Sequence, residues 1–380
     1  MTLILSSTKV SGASPRRQAA PPRPNIKLSQ IEQTRPNPES KTVFLRSLST
    51  MVLAGVTVDR SLDYLADQAD DAKLAEVCRG MAHRVQSGYP LSAAMNCYPR
   101  AFSKLQLRLV QMGEKTGLLD QVLLELSRYE EKERALVLKV KSALGYPAFI
   151  FVIATIMMIT IPPYIMKGMF ELISGSGVEP PLITVIVMKI TTFLRSPAFY
   201  IGSIVLGVIL YFVLPAWLRK RDNQRLVATW VEKIPGLGPV YKALAYARFS
   251  RALSVQIECG MNPLNSLAIS AEVTENPLLI DSIKSASEGL NQGDSFADSL
   301  GSTGFFPKLM LNMVQAGEES AALGQLLQKA AEMYEAEVDH SLDIFTAMLE
   351  PAIMAFIGLM VGTLVLATML PMSQVIENMH

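Results

Sequence analysis

Charge is scarce in this chain. Only 18% of its 380 residues are Asp, Glu, Lys or Arg, against roughly 25% in an ordinary soluble domain. Hydrophobic residues make up 50%, and mean hydropathy is +0.28. That deficit argues against a wholly soluble enzyme and for mass embedded in a membrane. The 35 basic and 34 acidic residues leave a net charge of +1, so no global field draws nucleic acid. Cysteine is scarcer still. Cys78, Cys97 and Cys259 make no CxxC pair and no disulfide framework, as suits a reducing compartment. The three histidines, His83, His340 and His380, stand too far apart for paired metal ligands. No Ser, Cys or His constellation completes a nucleophilic triad. The sequence predicts no cofactor, no metal and no catalytic residue.

Charge is absent altogether from three runs, residues 143–166, 196–218 and 351–376. About 20 apolar residues suffice for a helix to cross the hydrocarbon core, so all three qualify as spans. The expected spans are 144–166, 197–218 and 351–376. A fourth apolar stretch, 180–194, is short and contains Lys189, and reads as amphipathic or interfacial. Arg128, Lys132, Arg134, Lys139 and Lys141 precede the first span, and Arg219, Lys220, Arg221 and Arg225 follow the second. The positive-inside rule then puts 40–143 and 219–350 in the cytoplasm as two soluble domains. The connection 167–196 and the C-terminal 377–380 fall on the periplasmic side. Residues 1–39 carry six prolines and few large apolar side chains, which predicts a disordered tail rather than a secretory signal.

The chain also repeats itself. Phe44-Leu45-Arg46-Ser47-Leu48-Ser49 returns 205 residues later as Phe249-Ser250-Arg251-Ala252-Leu253-Ser254. Gly55 answers Gly260, Leu62 answers Leu267 and Gly88 answers Gly293. At a spacing of 204, Gly113-Glu114 meets Gly317-Glu318, and Pro147 meets Pro351. Within a copy, apolar residues recur at three and four positions. Gly55, Gly88 and Gly117 fall where helices should stop, and Asp71 and Ser103 where they should start. Each copy therefore reads as a bundle of about six helices. Its last helix runs into a span, because no Gly or Pro interrupts 118–144. The fold class expected is all-α, a polytopic membrane protein with two homologous cytoplasmic helical bundles and three transmembrane helices.

Several motifs admit more than one reading. Gly113-Glu114-Lys115-Thr116-Gly117 lacks the Walker A spacing and a preceding strand, so it is not a phosphate loop. Glu114 and Glu318 suit a bond to backbone N–H groups at a helix start, with the glycines permitting the turn; a direct partner contact is the other reading. The carboxylates of the last helices (Glu125, Glu130, Glu131, Glu133, Glu332, Glu335, Glu337, Asp339 and Asp343) read as a solvated face. Gly358 and Gly362 form a GxxxG, and Ser203 with Gly207 a small-xxx-small pair, which serve close packing within the chain or self-association. Pro162-Pro163 should kink or end the first span. No ionisable group lies inside any span, which weighs against a transporter or channel subunit, the alternative function.

The order of these features resembles the GspF/PilC family of inner-membrane platform proteins of type II secretion and type IV pilus systems. The resemblance rests on Gly113-Glu114-Lys115-Thr116-Gly117 with Tyr146-Pro147, and on Gly317-Glu318-Glu319-Ser320-Ala321 with Glu350-Pro351, together with the span placement. It covers residues 41–376. Ala321 departs from it, standing where glycine is usual. The resemblance implies a non-catalytic platform for pilus or pseudopilus assembly in the bacterial inner membrane. Its implied partners are a cytoplasmic assembly or secretion ATPase, pilin or pseudopilin subunits, other inner-membrane assembly proteins, membrane lipid and further copies of itself.

Overall fold

The computed structural model describes residues 35–176, 181–197 and 220–378, with single positions between 199 and 217. Two expectations therefore lie largely outside the described residues: the disordered tail over 1–39 and the second span over 197–218. No strand occurs among the described residues.

The first copy is six helices. They are α1 (Pro38–Leu53), α2 (Val58–Gln68), α3 (Ala72–Gln86), α4 (Leu91–Met95), α5 (Lys104–Thr116) and α6 (Leu119–Ser176). Next come α7 (Leu182–Arg195) and α8 (Arg221–Lys233). The second copy repeats the six as α9 (Leu237–Glu258), α10 (Pro263–Val273), α11 (Pro277–Gln292), α12 (Phe296–Gly301), α13 (Lys308–Glu319) and α14 (Leu323–Asn378).

Short polar side chains start these helices by satisfying N–H groups that have no partner within the helix. Asp71 accepts from Lys73 N at 3.0 Å and also from Asn37 N at 2.7 Å, which ties the start of α3 to the start of α1. Ser103 and Gln106 form a reciprocal capping box on α5. Asn276 does the same work for α11, accepting from Leu278 N and Leu279 N.

Each bundle closes on its own core. Leu45, Leu48, Leu62, Leu105, Leu109, Leu123 and Leu126 are fully buried in the first, and Phe249, Leu253, Leu267, Leu279, Leu300 and Met310 in the second. The cores are not independent, because Ala252 and Val255 of α9 belong to the first one. A third cluster, Val240, Ala243, Val338 and Leu342, receives Val140 and Ala143 of α6.

The last helix of each copy is unusually long, 58 residues in α6 and 56 in α14. At ~1.5 Å per residue each is about 85 Å, well over twice the ~30 Å hydrocarbon core. Both are long and apolar enough to cross a membrane, over Leu119–Met157 and Leu323–Ser373. Of the kink or end expected at Pro162-Pro163, the end does not occur, and α6 stays helical to Ser176. Each proline removes one N–H donor, yet the only glycine between the pair and Gly175 is the isolated Gly168, which a helix tolerates. The connection 167–196 is accordingly helical over 167–176 and 182–195 rather than a plain loop. Its helix α7 packs against both long helices. There Thr184, wholly buried, donates its hydroxyl to the Ala367 carbonyl at 2.9 Å.

The turn between the fifth and sixth helices needs a left-handed residue. Gly117 supplies it at φ 74°, whereas the second copy holds Ala321 there at φ 54°. A side chain in that region costs about 1–2 kcal/mol, and glycine gives back about 0.5–1 kcal/mol in chain entropy. Ala321→Gly should therefore stabilise the chain by up to about 1 kcal/mol, and Gly117→Ala should destabilise it comparably. Thermal unfolding of the detergent-solubilised protein reads both signs, and a lower melting temperature for Ala321→Gly would contradict this account of the turn.

Candidate functional site

The repeated Gly-Glu motif sits on the penultimate helix of each bundle. Gly113 and Gly317 lie within α5 and α13, not at the turn. A Cβ on Gly113 would come 3.1 Å from Leu119 Cα and 3.0 Å from Val122 Cβ, and one on Gly317 2.9 Å from Leu323 Cα. These glycines serve the close approach of the sixth helix, and the turn itself belongs to Gly117 and Ala321. The neighbouring carboxylates reach back 22 residues in both copies. Glu114 accepts from Ser92 N at 3.2 Å and from the Ser92 hydroxyl, at the start of α4. Glu318 is 3.0 Å from Phe296 N through each oxygen and 3.4 Å from Ala297 N, at the start of α12.

At the entry to the apolar runs, Tyr146 and Glu350 are exposed, and both long helices pass unbroken through Pro147 and Pro351. Gly145 opens the first of these entries. Further along, Gly358 and Gly362 are exposed, and a Cβ on either would meet nothing within 4 Å. Gly207 is likewise open, while Ser203 lies outside the described residues.

Between the bundles runs a seam of charge. Arg248 of α9 pairs with Glu133 of α6, and Lys132 lies 4.0 Å from Glu335 of α14. Lys139 meets Asp339 at 2.6 Å, and Lys104 meets Glu272 at 2.8 Å. Beside them Arg251 donates from Nε to Glu335 at 2.9 Å, with both side chains nearly buried. The carboxylates of the last helices are thus not uniformly a solvated face. Glu130 is buried and held by Lys41 at 2.7 Å and Gln106 at 2.6 Å, while Glu133 and Glu335 turn into the seam. Burial pushes the Glu133 carboxyl up, and the Arg248 guanidinium opposes that rise. A helical charge pattern alone cannot tell which face a second bundle covers. Among the described residues no three His, Cys, Asp or Glu side chains gather as metal ligands would.

The model of the family described as type II secretion system (T2SS), protein F, matches residues 44–165 and 249–371, one match per copy with its long helix. The chain belongs to this family. Among its relatives, the type IV pilus assembly protein PilC of Thermus thermophilus is 30% identical over 90% of this chain and 84% of its own length. PilC of Myxococcus xanthus is 30% identical over 87% of this chain and 78% of its own length. The type II secretion system protein F of Xanthomonas campestris is also 30% identical, over 87% and 81%.

The protein F repeat places one arginine–carboxylate pair twice, once in each copy. Arg46–Glu131 is exposed at 3.4 Å, whereas its equivalent Arg251–Glu335 is nearly buried. Removing one partner of a buried pair costs about 3–5 kcal/mol, and an exposed pair is worth about 0–1 kcal/mol. Arg251→Leu should therefore destabilise strongly and Arg46→Leu hardly at all. The double variant Arg251→Leu/Glu335→Leu should recover much of the loss. Equal melting temperatures for the two single variants would contradict the stability assigned to the buried pair.

Proposed function

We propose that the chain is a non-catalytic platform of the bacterial inner membrane for assembling type IV pili or a type II secretion pseudopilus. It couples a cytoplasmic motor ATPase to pilin or pseudopilin subunits in the membrane. The observation that supports this most is continuity: one body of two fused bundles extends through two unbroken helices into apolar runs. Membership of the protein F family and relatives named for pilus assembly and for type II secretion support the same reading. In this reading both bundles lie in the cytoplasm, 197–218 crosses between them, and the C-terminus is periplasmic. Other inner-membrane assembly proteins and further copies of the chain complete the machine. Force reaches the membrane through the fused body, so the motor is a separate protein.

Topology tests this directly. Reporters fused after Lys141 or near Asp294 should report the cytoplasm, and those near Gly175 or after His380 the periplasm. A periplasmic signal near Asp294 would overturn the layout. The cognate ATPase should co-purify with the full-length chain and be released as salt rises, since exposed charges are screened beyond ~8–10 Å near physiological ionic strength. The full chain is needed, because a fragment of the first bundle would lack Ala252 and Val255 of its core. Failure of the ATPase to associate in cross-linked membranes would remove the coupling role.

A further inference from the structure

Helix α8 carries its side chains the wrong way round for a helix facing water. Leu226 and Trp230, one four-residue step apart, are 55% and 73% exposed, Val227 lies beside them, and Ile234, the capping residue just past the helix, is 42% exposed. The opposite side is turned into the protein. Ala228 is buried there, Arg225 Nε lies 2.6 Å from Asp281 of α11, Arg221 lies 3.4 Å from the same carboxylate, and Glu232 faces Lys242 of α9. An apolar stripe left outward on an otherwise charged helix marks a contact surface.

The ends of α8 fix what that surface meets. At its start, the Trp217 carbonyl accepts from Lys220 N at 3.3 Å and from Asn223 Nδ2 at 2.8 Å, which ties the helix start to the last described residue of the uncharged run 196–218. At its end, a Cβ on Gly236 would lie 2.9 Å from the Phe345 ring and 3.7 Å from Met348 Sδ. Those two residues stand only three to six positions, about 5–9 Å, before the apolar run of α14. Both ends therefore sit at the depth where apolar runs begin. Lys220 and Lys233, both exposed, flank the stripe. Tryptophan favours the boundary between headgroups and acyl chains, and basic residues favour anionic headgroups.

We propose that α8 lies in the plane of the membrane surface, with the Leu226–Trp230–Ile234 stripe seated in the headgroup boundary of an anionic bilayer. It thereby fixes the tilt of the second bundle against the membrane. The proposal rests on the reading that α14 crosses the bilayer, and the test separates the two.

The chain has two tryptophans, so Trp217→Phe leaves Trp230 as the sole tryptophan. The full-length variant is reconstituted in vesicles of phosphatidylethanolamine and phosphatidylglycerol, with part of the lipid brominated on the acyl chain. Trp230 should emit blue of its value in the denatured chain. It should lose most of its fluorescence to bromine near the headgroup end of the acyl chain, less to bromine near the methyl end, and little to aqueous iodide. A control carries Leu359→Trp with Trp217→Phe and Trp230→Phe, and should be quenched best by the deep bromine. If the control is quenched and Trp230 answers to iodide, or to neither quencher because protein covers it, the interfacial role of α8 is overturned alone. If the control itself escapes the deep bromine, the membrane reading of α14 falls, and the proposal with it.

Discussion

One helix holds the two halves of this protein together. Between Ala245 and Gln256 of α9 every residue but Arg248 is buried, a pattern expected of a helix with packing partners all around it rather than on one stripe. Phe249 and Leu253 fill the second core while Ala252 and Val255 fill the first. The equivalent helix of the first copy, α1, lacks this double duty. Val43 and Arg46, which answer Arg248 and Arg251, stand 60% exposed and in solvent. The repeat is thus one unit used twice with different surroundings. At the junction, lysines of the first copy are set against carboxylates of the second.

The copies also differ in a correlated way inside their cores. Lys41, Gln106 and Glu130 form a hydrogen-bonded ionic set in the first bundle. At the same three places the second bundle has Tyr246, Met310 and Tyr334, with the two rings 5.2 Å apart. Either set is self-consistent. A mixture would bury a charge without its partner, which costs far more than either arrangement. The Tyr246 hydroxyl completes the second set by donating to the Phe305 carbonyl at 2.8 Å.

What was legible in the sequence is what depends on short range. The six helices per copy, the caps at Asp71 and Ser103 and the stops at Gly55, Gly88 and Gly117 follow from local chemistry. Ala321 announced itself as an oddity, and its positive φ shows why. The misreadings share a different cause. Glu130, Glu133 and Glu335 resemble a solvated face until a second helix or bundle is laid over them. Pro162-Pro163 resembles an end because proline's cost is counted for water, where a broken helix is easily solvated, and not for an apolar environment in which helix is the favoured state. Trp230 passed unnoticed because amphipathicity alone does not say which side of a helix the protein takes.

The long helices set how displacement is transmitted. On one side of Gly145 and Glu350, α6 and α14 are joined by Val140, Ala143, Val338 and Leu342. On the other, Phe149, Ile153, Ala154 and Met157 face Ile357 and Met360 around an apolar groove of about 170 Å³. Neither helix breaks between these contacts, and no glycine turn or loop intervenes. Each helix already lacks one backbone hydrogen bond there, at Pro147 and Pro351, so what opposes a bend is the packing of the two helices against each other on both sides of it. A displacement imposed on the fused bundles is therefore carried into the apolar runs as a tilt or rotation of the whole pair. The freedom that remains lies between bodies rather than within this one, because packed helices move by small slides and rigid rotations more readily than by new hinges.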